Sequence, residues 1–238
     1  MRAISSMATR HVLADLTAAA VAAGLPQVDV ESVGGVDAAQ RVAAGEPLDL
    51  VFLASDALAR LAADGHLDAD SVVPLVLSQV AVAVPSGSDE PAARPEGAAF
   101  PDAAGVRDAL RGAGRIGYST GPSGRALVAM IGEWGLTGEI GGRLVQARPG
   151  IPVARSLAGG DVDLGFQQLS ELVGQRGIRI LGVLPADCAI DTVFSGAVAT
   201  TSTEPEAARR ILSFLSSDAV AGIRFAHSFT APDVASPG

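Results

Sequence analysis

Lysine is missing altogether: every one of the 17 basic residues is arginine. A Schiff-base lysine and a P-loop lysine are therefore closed to this chain. One cysteine, Cys188, precludes an internal disulfide and a thiolate metal cage, and it reads as a buried structural thiol. With only 4 % aromatic residues, the core has to be built from Ala, Val, Leu and Ile. The opening Met1-Arg2-Ala3-Ile4 has no charged n-region, apolar h-region or cleavage site. This sets the expectation of a cytoplasmic protein without a transporter partner. No apolar run reaches the length of a membrane span, and a net charge of −9 leaves no basic footprint for nucleic acid.

What is present is enough for one large domain or two lobes, each with its own core. Short apolar strands alternate with amphipathic helices, which predicts an α/β fold with mainly parallel sheets. Strands are expected near 2–4, 27–31, 50–53, 115–118, 144–146, 162–166 and 178–184. Helices are expected near 6–23, 37–44, 56–64, 102–111, 123–134, 151–158, 204–216 and 218–227. The Pro-, Gly- and Ser-rich stretch 86–101 reads as a surface loop. Two long strands, 77–84 and 192–200, are the expected crossings between lobes. The chain would then divide into residues 1–85 with 191–238 and an inserted 86–190, with a ligand in a hinged cleft.

Five strand-to-helix turns carry Ser, Thr or Gly: Ser5-Ser6, Gly34-Gly35, Ser55, Ser119–Gly124 and Pro149-Gly150. A helix start offers unpaired backbone N–H groups and a partial positive charge, and in parallel α/β sheets such starts lie at the strand ends where ligands bind. An anion site needs no lysine there. For a single Ser, helix capping is the simpler reading. The segment Gly117–Gly124, with Ser119, Thr120 and Ser123 among three glycines and a proline, exceeds what capping requires. Gln167-Gln168 follows an apolar strand and reads equally as a ligand-facing pair or a surface turn. Arg10 and Arg148 stand near helix starts and are able to give bidentate carboxylate contacts. His11, His66 and His227 have no metal-ligand spacing, and no Ser-His-Asp order, zinc-protease motif or Walker motif occurs, so neither a metal nor a cofactor is expected.

Several segments carry a resemblance: the strand–Ser-Ser–helix opening, Ala44–Leu50, Ser55-Asp56, Gly160–Gly165 and Phe214–Ala219. With these the chain resembles the type II periplasmic binding proteins, in particular their molybdate-binding branch. That resemblance implies two lobes, each a mostly parallel sheet flanked by helices, with the ligand cleft between them. It places the family's oxyanion-holding Ser at Ser6. Gly34 and Gly35 stand where the family has a hydroxyl, and Gln168 stands near the family's tyrosine. A wider, amide-lined pocket for a polycarboxylate is the consequence. The Ser5–Arg10 opening, the Gly117–Gly124 turn and Phe166–Glu171 are similar to the aconitate isomerases on the same scaffold.

Two functions are thus expected. The first is a cofactor-free isomerase of a small unsaturated polycarboxylate such as aconitate, working by allylic proton transfer. Its base is left open among His11, Tyr118, Glu171 and Asp56. The alternative is a non-catalytic binding protein for an oxyanion or carboxylate.

Overall fold

The computed structural model describes residues 1–148 and 151–232. The chain divides into two compact units, one holding Met1–Leu77 and the chain from Thr192 onward, the other Ser78–Asp191. The sequence reading set these limits at 85/86 and 190/191.

Unit 1 contains β1 (Arg2–Ser6), α1 (Arg10–Ala22), β2 (Asp29–Val33), α2 (Gly35–Ala43), β3 (Leu50–Ala54) and α3 (Ser55–Ala63). The long β4 (Val73–Pro85) then carries the chain into unit 2. There follow α4 (Ala103–Gly112), β5 (Ile116–Tyr118), α5 (Pro122–Glu133), α6 (Thr137–Ile140), β6 (Leu144–Gln146), α7 (Val153–Ala158), β7 (Leu164–Gln168), α8 (Leu169–Leu172) and β8 (Ile178–Val183). Strand β9 (Asp191–Val198) and helices α9 (Pro205–Ser216) and α10 (Ala221–Ala226) complete unit 1.

In unit 1, β1 pairs in parallel with both β2 and β3, and β9 runs antiparallel to β3. Strand β3 is an unbroken apolar run because both of its faces are covered. Leu50 and Phe52 enter a core with Leu13 and Leu16 of α1 and Leu212 of α9. Val51 and Leu53 enter another with Val42 of α2 and Leu58 of α3. The Val12, Leu13, Leu16 and Ala20 spacing is the apolar stripe that turns α1 onto the sheet.

Unit 2 repeats the plan. Strand β5 pairs in parallel with β6 and β7, while β4 runs antiparallel to β7 and to β8. Val82 and Phe166 face Val106 of α4 and Leu127 of α5, and Ala81 and Ala83 face Val153 and Leu157 of α7 and Leu172 of α8. Gly165 lets α7 come close: a Cβ there would lie 2.7 Å from the Leu157 side chain.

The α/β alternation expected from sequence is present, with shifted limits. Strand β7 ends at Gln168, two residues beyond expectation, because pairing of Val80 with Gln168 and Ala81 with Gln167 carries the ladder through both glutamines. They are not a turn after the strand. Strand β2 is also displaced by two residues, set by its register of Arg2 with Asp29 and Ser6 with Val33. A 3-10 turn, Met7–Thr9, separates Ser6 from α1, so that helix starts at Arg10. The four-residue helices α6 and α8 were too short to show as a helical period. Pro149 and Gly150 lie outside the described residues.

Phe52 is 1 % exposed. Phe52→Ala should lower unfolding free energy by about 3–5 kcal/mol, read as an earlier urea midpoint. Val36→Ala, at a residue 71 % exposed, should stay within about 0.5 kcal/mol.

Candidate functional site

Parallel pairing brings the carboxyl ends of β1, β2 and β3 to one edge of the unit 1 sheet, and with them the turns at Ser6, Gly34-Gly35 and Ser55. Ser6 caps the 3-10 turn, its Oγ accepting from the Ala8 N–H at 3.3 Å. A Cβ on Gly35 would stand 3.7 Å from that Oγ, so the Ser6 hydroxyl and the start of the nine-residue α2 are neighbours. No side chain caps α2, and Gly34 and Gly35 are exposed, which leaves its first N–H groups open. Ser55 is different. It is the first residue of α3 and not its cap, and its hydroxyl donates to the Val193 carbonyl at 3.0 Å and meets Ser195 Oγ at 2.6 Å. That side chain ties β3 to β9.

Arg10 is exposed, with its guanidinium 2.9 Å from His11 Nε2. It lines a groove between α1 and the edge strand β2, with Thr17, Asp29 and Glu31. Asp56 is exposed and paired with Arg60.

In unit 2 the parallel strands β5, β6 and β7 send three more turns to one sheet edge. Ser119 and Ser123 face each other across the first turn of α5, Oγ to Oγ 3.0 Å. Ser123 is buried, Ser119 half-buried and Thr120 exposed. The turn is tight enough to demand glycine at 124, where a Cβ would lie 1.9 Å from the Ser119 carbonyl oxygen. Tyr118 is half-buried and packs against the apolar cluster under α4 and α5. Arg148 is exposed two residues beyond β6.

The two glutamines are both 5 % exposed and serve different ends. Gln167 Oε1 accepts the Val153 N–H of α7 at 2.8 Å, and its Nε2 donates to Glu171 Oε2. Sequence reasoning missed this bridge; the i, i+4 spacing of Gln167 and Glu171 was its trace. Gln168 has a buried carbonyl oxygen with no hydrogen-bond partner, as have the Ser78 and Ser170 hydroxyls. Unpaired buried polar groups are costly, and a half turn about the last bond of the amide makes Gln168 a donor at the same place.

Glu171 is half-buried, and desolvation pushes its carboxyl above the ordinary carboxylate range, opposed by the hydrogen bond from Gln167. Cys188 is buried in the unit 2 core, where burial first, then Asp187, pushes its thiol up to about 11. That makes it an inert structural group. Among the described residues no three His, Cys, Asp or Glu side chains gather as a metal site, and no helix is long and apolar enough to cross a membrane.

Residues 1–229 match the model of the bacterial extracellular solute-binding protein family, and the chain belongs to that family. Among characterised proteins, aconitate isomerase from a Pseudomonas species is 34 % identical over 177 residues. These are 74 % of this chain and 65 % of that relative, so the match spans just under two thirds of the relative's length. The substrate-binding domain assigned to a molybdenum ABC transporter of Clostridium difficile superposes with a TM-score of 0.77 at 16 % identity, covering 98 % of this chain and 99 % of that one. The periplasmic molybdate-binding protein of Azotobacter vinelandii gives 0.71 at 19 % identity, covering 98 % and 100 %. At such identities the likeness is one of fold: the α/β architecture of the periplasmic binding proteins.

The raised pKa of Glu171 has a consequence for stability. The folded chain holds this proton more tightly than the unfolded chain. The resulting stabilisation is full at low pH and is lost as pH rises through the folded value. Glu171→Gln, which keeps an acceptor for Gln167, should therefore raise Tm at pH 8, with the gain shrinking towards pH 4. Thermal melts across that range check it.

Proposed function

We propose that this chain interconverts the cis and trans forms of aconitate, by moving an allylic proton from one end of a three-carbon unit to the other. The kinship with aconitate isomerase, 34 % identical over 177 residues, carries the reading. The chemistry agrees with the groups present. Aconitate carries carboxylates on each of three adjacent carbons, so shifting its double bond regenerates the same constitution with the geometry free to change. Such a shift is redox-neutral. It needs donors that hold carboxylates, donors that meet the charge of the dienolate, and one base.

Taken by itself, unit 1 offers anion donors in the Ser6 hydroxyl and the open N–H groups of α2. In unit 2 they are Ser119, Thr120 and Ser123 at the start of the twelve-residue α5, together with Gln168. Preorganised donors lower the barrier where charge develops in the transition state. Gly34-Gly35 and Gln168, standing where the molybdate-binding proteins are expected to have a hydroxyl and a tyrosine, favour a larger planar polycarboxylate over a compact tetrahedral oxyanion. The family description favours a second reading, a solute-binding protein that holds an oxyanion or a carboxylate without converting it.

Proton NMR of the chain with trans-aconitate in deuterated buffer separates the two. The expected result is cis-aconitate carrying solvent deuterium, and a ligand-induced rise in Tm by mass action. Tight molybdate binding with no conversion of aconitate would return the chain to the plain binding proteins. Ser119→Ala should cost about 1.5–3 kcal/mol of ligand affinity, the worth of a hydrogen bond to a charged group, whereas Thr120→Ala, at an exposed residue, should leave the Tm of the free chain nearly unchanged.

A further inference from the structure

Resting on the isomerase reading, we infer that Glu171 is the base that carries the allylic proton and that Gln167 is the positioning residue that fixes its carboxylate. Three alternatives fall away on geometry. His11 is exposed and engaged by Arg10. Asp56 is 70 % exposed and paired with an equally exposed Arg60. Tyr118 packs into the apolar cluster of unit 2. Glu171 alone among the four is a carboxylate drawn out of water at the strand-end edge that also carries Ser119 and Ser123.

The way Glu171 is held is unusual for a structural carboxylate. A neutral amide, the Gln167 side chain, donates to its Oε2. Arg148, Arg155 on α7 and Arg179 on β8 are exposed, and none of the ion pairs among the described residues includes Glu171. An ion pair would keep the carboxylate charged and weaken it as a base; a neutral donor orients it and leaves it basic. Gln167 is itself fixed at its other end by the Val153 N–H, so the carboxylate is held by a buried amide that is anchored in turn to the start of α7. The unpartnered Gln168 carbonyl and Ser170 hydroxyl stand just before this carboxylate in sequence, which leaves the same short segment with polar capacity that the described residues do not use.

The step balances without a co-reactant. The C–H bond of the methylene breaks, and its proton forms an O–H bond with Glu171. The freed electron pair spreads through the allyl system onto a terminal carboxylate. The same proton, or one exchanged from solvent, is then delivered to the opposite carbon, where a new C–H bond forms. The double bond is left displaced and Glu171 is ionised again. One carboxyl group serves as base and then as acid.

The test uses the whole chain, wild type and Glu171→Gln, with trans-aconitate. Thermal shift reads binding, and NMR in deuterated buffer reads isomerisation and deuterium uptake. The expected result is retained binding, a Tm no lower than wild type, and a loss of turnover and deuterium uptake of about 10²-fold or more. Gln167→Met supplies a readout that a packing role would not move. Removing the donor that stabilises the carboxylate should push the Glu171 carboxyl up, so the acid limb of kcat/KM against pH should move to higher pH. Wild-type turnover with Glu171→Gln still active within a few fold, or an unmoved acid limb in folded Gln167→Met, would overturn this assignment and leave the isomerase standing. A wild-type chain that binds aconitate and never converts it would overturn both.

Discussion

The direction of β5, β6 and β7 is the constraint on which the candidate chemistry of unit 2 depends. Because these strands run in parallel, each must leave the sheet at the same edge and re-enter through a helix. Ser119 and Ser123, Arg148, and the Gln167–Glu171 pair are far apart in sequence and share an edge for this reason alone. The same holds for Ser6 and Gly34-Gly35 in unit 1. Where helices must sit close to the sheet, the chain uses glycine, as at Gly165 under Leu157 and Gly196 against Leu212 and Phe52.

The absence of lysine shapes the electrostatics of the candidate site. With no compact ammonium to place, positive potential has to come from backbone N–H groups, hydroxyls and amides, or from guanidinium groups, and the arginines near the helix starts are exposed. Neutral donors hold an anion without an opposing charge to release it from. They also leave a nearby carboxylate free to titrate. Glu171 is an instance: a guanidinium in place of the Gln167 amide would fix it as a permanent anion, whereas the amide orients it and leaves it able to take up a proton and give it back.

Much of the fold was legible because its signals are local and repeated. Alternating apolar strands and amphipathic helices, and a β3 that is apolar throughout, need no knowledge of partners. Boundaries set by register were not. Strand β7 extends through Gln167 and Gln168 because β4 pairs with them, which a polar dipeptide gives no hint of. In the candidate site, Ser6, Ser119 and Ser123 were readable from turn composition. The commitment of Ser55 to Val193 and Ser195 was not, because β9 lies about 140 residues away in sequence. Glu171 stood in view as one of four acid–base groups. What singled it out, a desolvated carboxylate on a neutral donor, is a property of packing and not of spacing.

A crystal structure of the Glu171→Gln variant with trans-aconitate tests the central claim most directly. The account places the methylene carbon of the ligand roughly 3–3.5 Å from the side chain of residue 171, the separation of reacting atoms, with a carboxylate on the Ser119 and Ser123 hydroxyls. A bound ligand with no reacting carbon within reach of residue 171 would contradict it.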